Sequence, residues 1–208
     1  MPTLLEQLAG GDLRTLGRST AVAAQVLAQP DLIGELFDGI ASDDEVISAR
    51  ASDALEKVAA ARPDLLQPYK QELLERVAHL KHWVVREHVC QLLPRLDPLT
   101  AAERRRALAL IQGYLADRSG IVRACAVECL VHLSAPAGFA NERARVITLV
   151  NASAAHGDTP ALRARARKMQ RLLTRAAKKP ARPSGPSGLT RACRNNPVAP
   201  RSARPPTL

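Results

Sequence analysis

Aromatic side chains are almost missing from this chain: two Phe, two Tyr and one Trp among 208 residues. Strands draw on aromatic and β-branched residues, so composition argues against a β-rich core and for an all-α one built from Ala, Leu and Arg, which suit helices. Long apolar runs are missing too. No stretch approaches the roughly 20 residues of a membrane span. The N-terminus carries Glu6 and Asp12 where a signal peptide has Lys or Arg ahead of an apolar segment. The expectation is a cytoplasmic protein without a membrane span. Cysteine is scarce: Cys90, Cys125, Cys129 and Cys193 are too few and too scattered for a disulfide framework, and are expected to be free thiols in a reducing compartment.

Acid is missing from the last quarter. All 20 Asp and Glu lie in residues 1–158 with 17 of the 30 Lys and Arg, a net charge of −3. Residues 159–208 hold the other 13 basic residues and no acid, so the overall +10 belongs to one end. That distribution speaks against a basic groove running the length of the molecule. Missing as well are a nucleophile beside a base, a phosphate-cradling glycine loop and a paired acid. Gly10-Gly11 reads as a turn, and Asp43-Asp44 as a helix N-cap. The chain is expected to be no enzyme, with no cofactor and no bound metal.

What is present is a rhythm of helices. Stretches of roughly 12 to 18 residues alternate with breaks at Pro30, Ser42 to Asp44, Arg62-Pro63, Leu96 to Pro98, Asp117, Ala135 to Gly138 and Gly157 to Pro160. The second helix of each hairpin repeats one template, with core-type residues at offsets 0, +4, +7, +8 and +11 on a single helical face. Ile47, Ala51, Ala54, Leu55 and Val58 fit it, as do Val85, Val89, Leu92, Leu93 and Leu96, and Val122, Ala126, Cys129, Leu130 and Leu133. Two end copies are looser: Leu16, Thr20, Ala23, Ala24 and Leu27, and Leu162, Ala166, Met169, Gln170 and Leu173. The anchors are 31, 38, 37 and 40 residues apart, within the range of two-helix repeats. The preceding helices carry their own stripes: Leu32, Ile33, Leu36, Phe37 and Ile40; Leu65, Leu66, Tyr69, Leu73 and Val77; Leu108, Ile111, Tyr114 and Leu115; Val146, Ile147, Leu149 and Val150. The pattern predicts a right-handed α-solenoid of about five two-helix repeats over residues 1–176. A basic tail rich in Pro, Arg and Ser, residues 177–208, lacks apolar periodicity and is expected to be disordered.

Asp117, Val122, Arg123, Ala126 and Leu130 resemble the second-helix signature of HEAT repeats, D-x4-V-R-x2-A-x3-L, and Val85-Arg86 with Val89 and Leu93 is similar. The resemblance spans roughly residues 10 to 175. It implies an architecture more than a task, because repeat scaffolds host many functions. Two departures stand out: Ser48 occupies the place of Arg86 and Arg123, and Lys81 the place where an Asp is usual, so an Asp-Arg ladder between repeats is expected to be incomplete. HEAT-like alkylpurine DNA glycosylases set aromatic and acidic residues in a basic concave groove, whereas this body is net acidic with a single Trp. Some phycobilin lyases also resemble HEAT repeats, and no residue here asks for that chemistry.

Several clusters are candidate sites. Cys125, Cys129 and His132 fall on one helical face with metal-ligand residue types, but without CxxC or HExxH spacing, and Cys129 sits at a core offset. His79, His82 and His88 crowd one hairpin junction with Trp83, the sole tryptophan, and with Arg86 and Glu87; a Trp beside an Arg is a typical interface anchor. Arg86, Arg123 and Arg163 share offset +1 and are expected to form a row, which binds an acidic partner or holds neighbouring repeats in register. The helix from Arg163 to Lys179 is basic and amphipathic. With the tail it is expected to give at most weak, salt-sensitive, nonspecific contact with nucleic acid or an anionic surface. The binding residues expected are thus Trp83, Arg86, Glu87, Arg123 and Arg163, on a scaffold that holds another protein or peptide on a concave surface lined by the second helices.

Overall fold

The computed structural model describes residues 2–178, and all regular structure among them is helical. Ten α-helices follow in order: α1 (Leu4–Leu8), α2 (Ser19–Ala28), α3 (Ile33–Ile40), α4 (Glu45–Ala61), α5 (Lys70–Glu75), α6 (Trp83–Leu92), α7 (Ala101–Gly113), α8 (Gly120–Leu133), α9 (Ala140–His156) and α10 (Pro160–Lys178). The basic tail assigned to residues 177–208 lies outside the described residues except for its first two, which continue α10.

The helix ends are written in local chemistry. Asp44 caps α4 by accepting hydrogen bonds from the Val46 and Ile47 amides at 2.8 and 3.2 Å, which satisfies donors that have no partner within the helix. Thr3 with Glu6 and Thr100 with Glu103 form reciprocal capping boxes on α1 and α7. Pro30, Pro63 and Pro160 stand at first-turn positions, where a missing N–H costs nothing. One element departs from the regular rhythm. Residues 63–79 form a 3-10 stretch (Pro63–Tyr69), the short α5 and a second 3-10 turn (Val77–His79). Pro68, inside the stretch, removes an amide donor, so a continuous α-helix does not form there.

Helices α2, α4, α6, α8 and α10 pack each upon the next in chain order, while α3 lies against α4, α7 against α8 and α9 against α10; α5 reaches α6 through the Val77–His79 turn. One apolar core runs through the stack from Leu4 to Met169. The template positions of α6 and α8 are all buried, and those of α4 are buried apart from half-buried Ile47. The +8 leucines Leu55, Leu93 and Leu130 are fully buried, each burial stabilising by roughly 2 kcal/mol. Two assignments need correction. Leu16 is 58% exposed and lies before α2, whose buried residues are Ser19, Val22, Ala23 and Val26; the template there starts one residue earlier, at Thr15. Ile147 points to solvent, and α9 buries Val146, Val150 and Ala154 instead.

The few aromatics have definite places. Phe37 and Tyr69 stack with centroids 4.4 Å apart, joining α3 to the segment before α5. The buried Tyr114 hydroxyl donates to the Ala78 carbonyl at 2.6 Å, and Phe139 lies beneath Arg104 and Arg105. Trp83 alone among the five is exposed.

The α1–α2 connection is organised around a buried arginine. The Arg50 guanidinium donates to the carbonyls of Leu8, Gly10, Asp12 and Thr15 and to the Thr15 hydroxyl. The loop bends around it at Gly10, Gly11 and Gly17, all with positive φ. Gly17 has φ +50°, which disfavours larger residues, and a Cβ there would lie 2.6 Å from Arg50 Cζ and displace the guanidinium.

Candidate functional site

The N-terminal ends of α6, α8 and α10 share one device. Each +1 arginine turns back to the carbonyl six residues earlier: Arg86 to Leu80 at 2.8 Å, Arg123 to Asp117 at 2.5 Å, Arg163 to Gly157 at 2.5 Å. Two of them also reach a carboxylate in the following connection, Arg86 to Asp117 at 2.6 Å and Arg123 to Asp158 at 2.7 Å. Asp117 is nearly enclosed, takes the Ser119 amide on its other oxygen at 2.8 Å, and so ties two connections together. Arg86 further lies over the Tyr114 ring, 5.2 Å from its centroid.

At α4 the device is missing. Ser48 stands at the +1 position and donates to the Ile40 carbonyl at 2.7 Å, too short to reach the next connection, where Lys81 replaces a carboxylate. A groove of about 780 Å³ opens here, over the connections that precede α4, α6 and α8. Ser42, Ser48, Lys81, His82, Trp83 and Arg118 contribute to its lining. His82 is held at the start of α6 with both ring nitrogens shielded from solvent and without a hydrogen-bond partner among the described residues. The Glu45 carboxylate lies 3.9 Å from its Nε2. A buried polar group left unpaired costs about 1–3 kcal/mol, and in this conformation neither nitrogen is open to an incoming group. Trp83, 41% exposed, forms the wall between this groove and a second, largely apolar one of about 560 Å³ lined by Gly120, Ile121, Thr159, Pro160 and Ala161.

A second set of polar contacts joins α2 to α4, α4 to α6 and α8 to α10, the last two from template offsets +6 and +3. Asp53 of α4 faces His88 of α6 (Oδ1 to Nε2, 3.7 Å) and accepts from Ser19 on α2 at 2.5 Å and from Lys57. Glu128 of α8 accepts from Arg165 and, at 2.9 Å, from Lys168 of α10. His88 Nδ1 also meets Ser52 Oγ at 2.8 Å, which puts Ser, His and Asp together. The chemistry is nevertheless structural. Ser52 is 1% exposed and its hydroxyl donates to the Ala49 carbonyl at 2.8 Å, so its proton is directed away from the imidazole and no substrate reaches Oγ. Burial holds the His88 pKa below the ordinary histidine value, despite the pull of Asp53.

The sequence-derived candidates separate in space. Trp83 and Arg86 line the large groove. Glu87 lies outside its lining, half-buried, with its carboxyl pushed up by burial. Arg123 and Arg163 are engaged by connection carbonyls and do not present an open row. The three histidines do not form one cluster: His79 is exposed, His82 lines the groove and His88 is buried between α4 and α6. Cys90, Cys125 and Cys129 are free and buried. Burial pushes the Cys125 thiol up to about 12 and raises that of Cys90, which disfavours thiolate chemistry. His132 is exposed, and among the described residues no group of three or more His, Cys, Asp or Glu is placed to hold a metal ion. No described helix is long and apolar enough to cross a membrane.

Comparison with protein-family models, with curated proteins and with solved structures gives no match.

Proposed function

We propose that the chain is a right-handed α-solenoid of five HEAT-like two-helix repeats, pairing α1 with α2 through to α9 with α10, and that it serves as a non-catalytic scaffold for another protein. The site is the groove at the α4–α6 edge, with Trp83 as its anchor and the cytoplasm as its setting. Three full copies of one core template and the repeated arginine turn at α6, α8 and α10 support the repeat reading. The carrying observation for function is the position of Trp83. The only tryptophan of the chain stands exposed between two grooves, beside the His82 imidazole. Exposed Trp flanked by polar groups in a depression is the kind of residue on which protein interfaces concentrate their energy. The binding surface proposed is therefore the edge formed by the N-terminal ends of α4, α6 and α8, and not the faces of the second helices.

The test uses the full chain, intact and as Trp83→Ala, for affinity capture followed by binding titration with the purified partner. The expected outcome is a partner held by the intact chain and weakened by Trp83→Ala by about 2 kcal/mol, roughly thirtyfold, with unchanged helicity. Equal retention of every captured protein by the two forms rejects the groove as the site.

A further inference from the structure

The outer face of α10 is unlike the rest of the described surface. Elsewhere ten of the 17 arginines and lysines pair with carboxylates, as in Arg62 with Asp64, Lys70 with Glu103, Arg95 with Glu56 and Arg106 with Glu75. On α10 the ion pairs are those of Arg165 and Lys168 with Glu128. Arg167, Arg171, Arg175 and Lys178 are exposed and make no ion pair among the described residues. Their spacing of four, four and three residues keeps them within about 80° of one side of a helix that turns 3.6 residues per revolution, in steps of about 6 Å over a length of about 16 Å. The side opposite them carries Leu162, Ala166 and Met169, buried against α8 and α9.

We infer that this cation stripe is a binding site for the phosphate backbone of a double-stranded nucleic acid, independent of the Trp83 groove. A regular row of unpaired cations with phosphate-like spacing matches a regular row of phosphates, and counterion release drives such binding. Guanidinium groups also chelate phosphate oxygens in pairs. An anionic membrane fits less well, because amphipathic helices enter a bilayer through their apolar face, and that face of α10 is already covered by the stack. Single strands are held by base stacking on aromatic rings, and no aromatic residue follows Phe139. The expected contact is therefore to backbone and blind to sequence. Residues 179–208 extend the basic run with six more Lys and Arg and no Asp or Glu. Residues 1–158 carry a net negative charge, which orients an approaching polyanion toward α10.

The decisive experiment measures binding of the full chain to a short fluorescent DNA duplex between about 50 and 200 mM salt. It compares the intact chain with Arg167→Glu/Arg171→Glu/Arg175→Glu, whose exposed sites leave the core untouched, and with Lys179→Glu/Arg182→Glu/Arg191→Glu as a charge-matched control. Two unrelated duplex sequences should bind alike. The helix variant should bind at least about tenfold more weakly at low salt, with the slope of log K against log salt reduced by about 3. The control variant should lose less. Equal binding by the helix variant and the intact chain overturns the inference, and so does absence of duplex binding at low salt. Tighter binding to single strands or to phosphatidylserine-containing vesicles than to duplex assigns the stripe to those ligands instead.

Discussion

At the α6–α8 junction the connections are closed by Arg86, which spans from the Leu80 carbonyl to the Asp117 carboxylate under cover of Tyr114. At the α4–α6 junction the same template position holds Ser48, the partner position holds Lys81, and a groove of about 780 Å³ stands open beside Trp83. The core positions are alike on both sides; what differs is the +1 residue and the residue facing it, Arg86 with Asp117 at one junction and buried Ser48 with exposed Lys81 at the other, and all four line the groove. The lesson is that the edge can be opened without loss of the core, because the core rests on the +4, +7, +8 and +11 positions and the edge on +1.

The strongest way to break the comparison is to cut the bridged joint. Arg86→Ala strips the nearly enclosed Asp117 of its charge partner, and removing one member of a buried pair costs about 3 kcal/mol. Arg123→Ala should cost only about 1 kcal/mol, since its partner Asp158 is largely exposed and solvent already screens it. Urea denaturation of the two variants checks the order; equal losses would show that the carbonyl bonds, common to both arginines, dominate over the carboxylate.

The inner polar contacts separate the two junctions in another way. His88 is buried with a pKa below its unfolded value, so between the two values the unfolded chain binds more protons and stability falls as the solution is acidified through the usual histidine range. Asp53, Glu56 and Lys57 act on the ring together with its desolvation, and desolvation is the largest effect. The carboxyls with lowered values, Asp64, Glu103, Glu128 and Glu142, add their losses at more acid pH. Glu87, whose value is raised, works in the opposite direction but is common to both proteins compared. His88→Gln should lose about 1 kcal/mol at neutral pH with the Ser52 contact and show a flatter decline between about pH 7.5 and 5.5. Parallel curves for the two proteins would exclude His88 as the source.

These contrasts also mark what was readable beforehand. The template in α4, α6 and α8 was plain because a 3.6-residue period places all five residues on one face; the contacts of Asp53 with His88 and of Glu128 with Arg165 were not read from it, because they lie at the +3 and +6 offsets between those core positions. The α2 copy slipped by one because Leu16 is apolar yet belongs to the loop that bends at Gly17. The Arg50 clasp was hidden, since it depends on carbonyls 35 to 42 residues distant and leaves no side-chain pattern. Trp83 and Arg86 announced themselves by residue type. That His82 has no hydrogen-bond partner among the described residues and that a groove opens beside Ser48 are consequences of packing, and no spacing rule carries them.

The smallest expected change in stability comes from closing the open joint, and it sharpens the comparison most. Ser48→Arg with Lys81→Asp installs the pair used elsewhere: the new guanidinium would have the Ser42 carbonyl six residues back and a carboxylate 33 residues ahead, close to the 31 and 35 of the natural pairs. The gain from a partly exposed pair, about 0.5 kcal/mol, is offset by loss of the Ser48 bond to Ile40, about 1 kcal/mol, so the net shift should stay within about 1 kcal/mol. Partner binding should nevertheless be lost, although Trp83 is untouched, because the arginine occupies the groove. A crystal structure of the double variant with the pair formed, together with undiminished binding, would move the site to the other wall of Trp83, where Ile121 and Pro160 line the apolar depression.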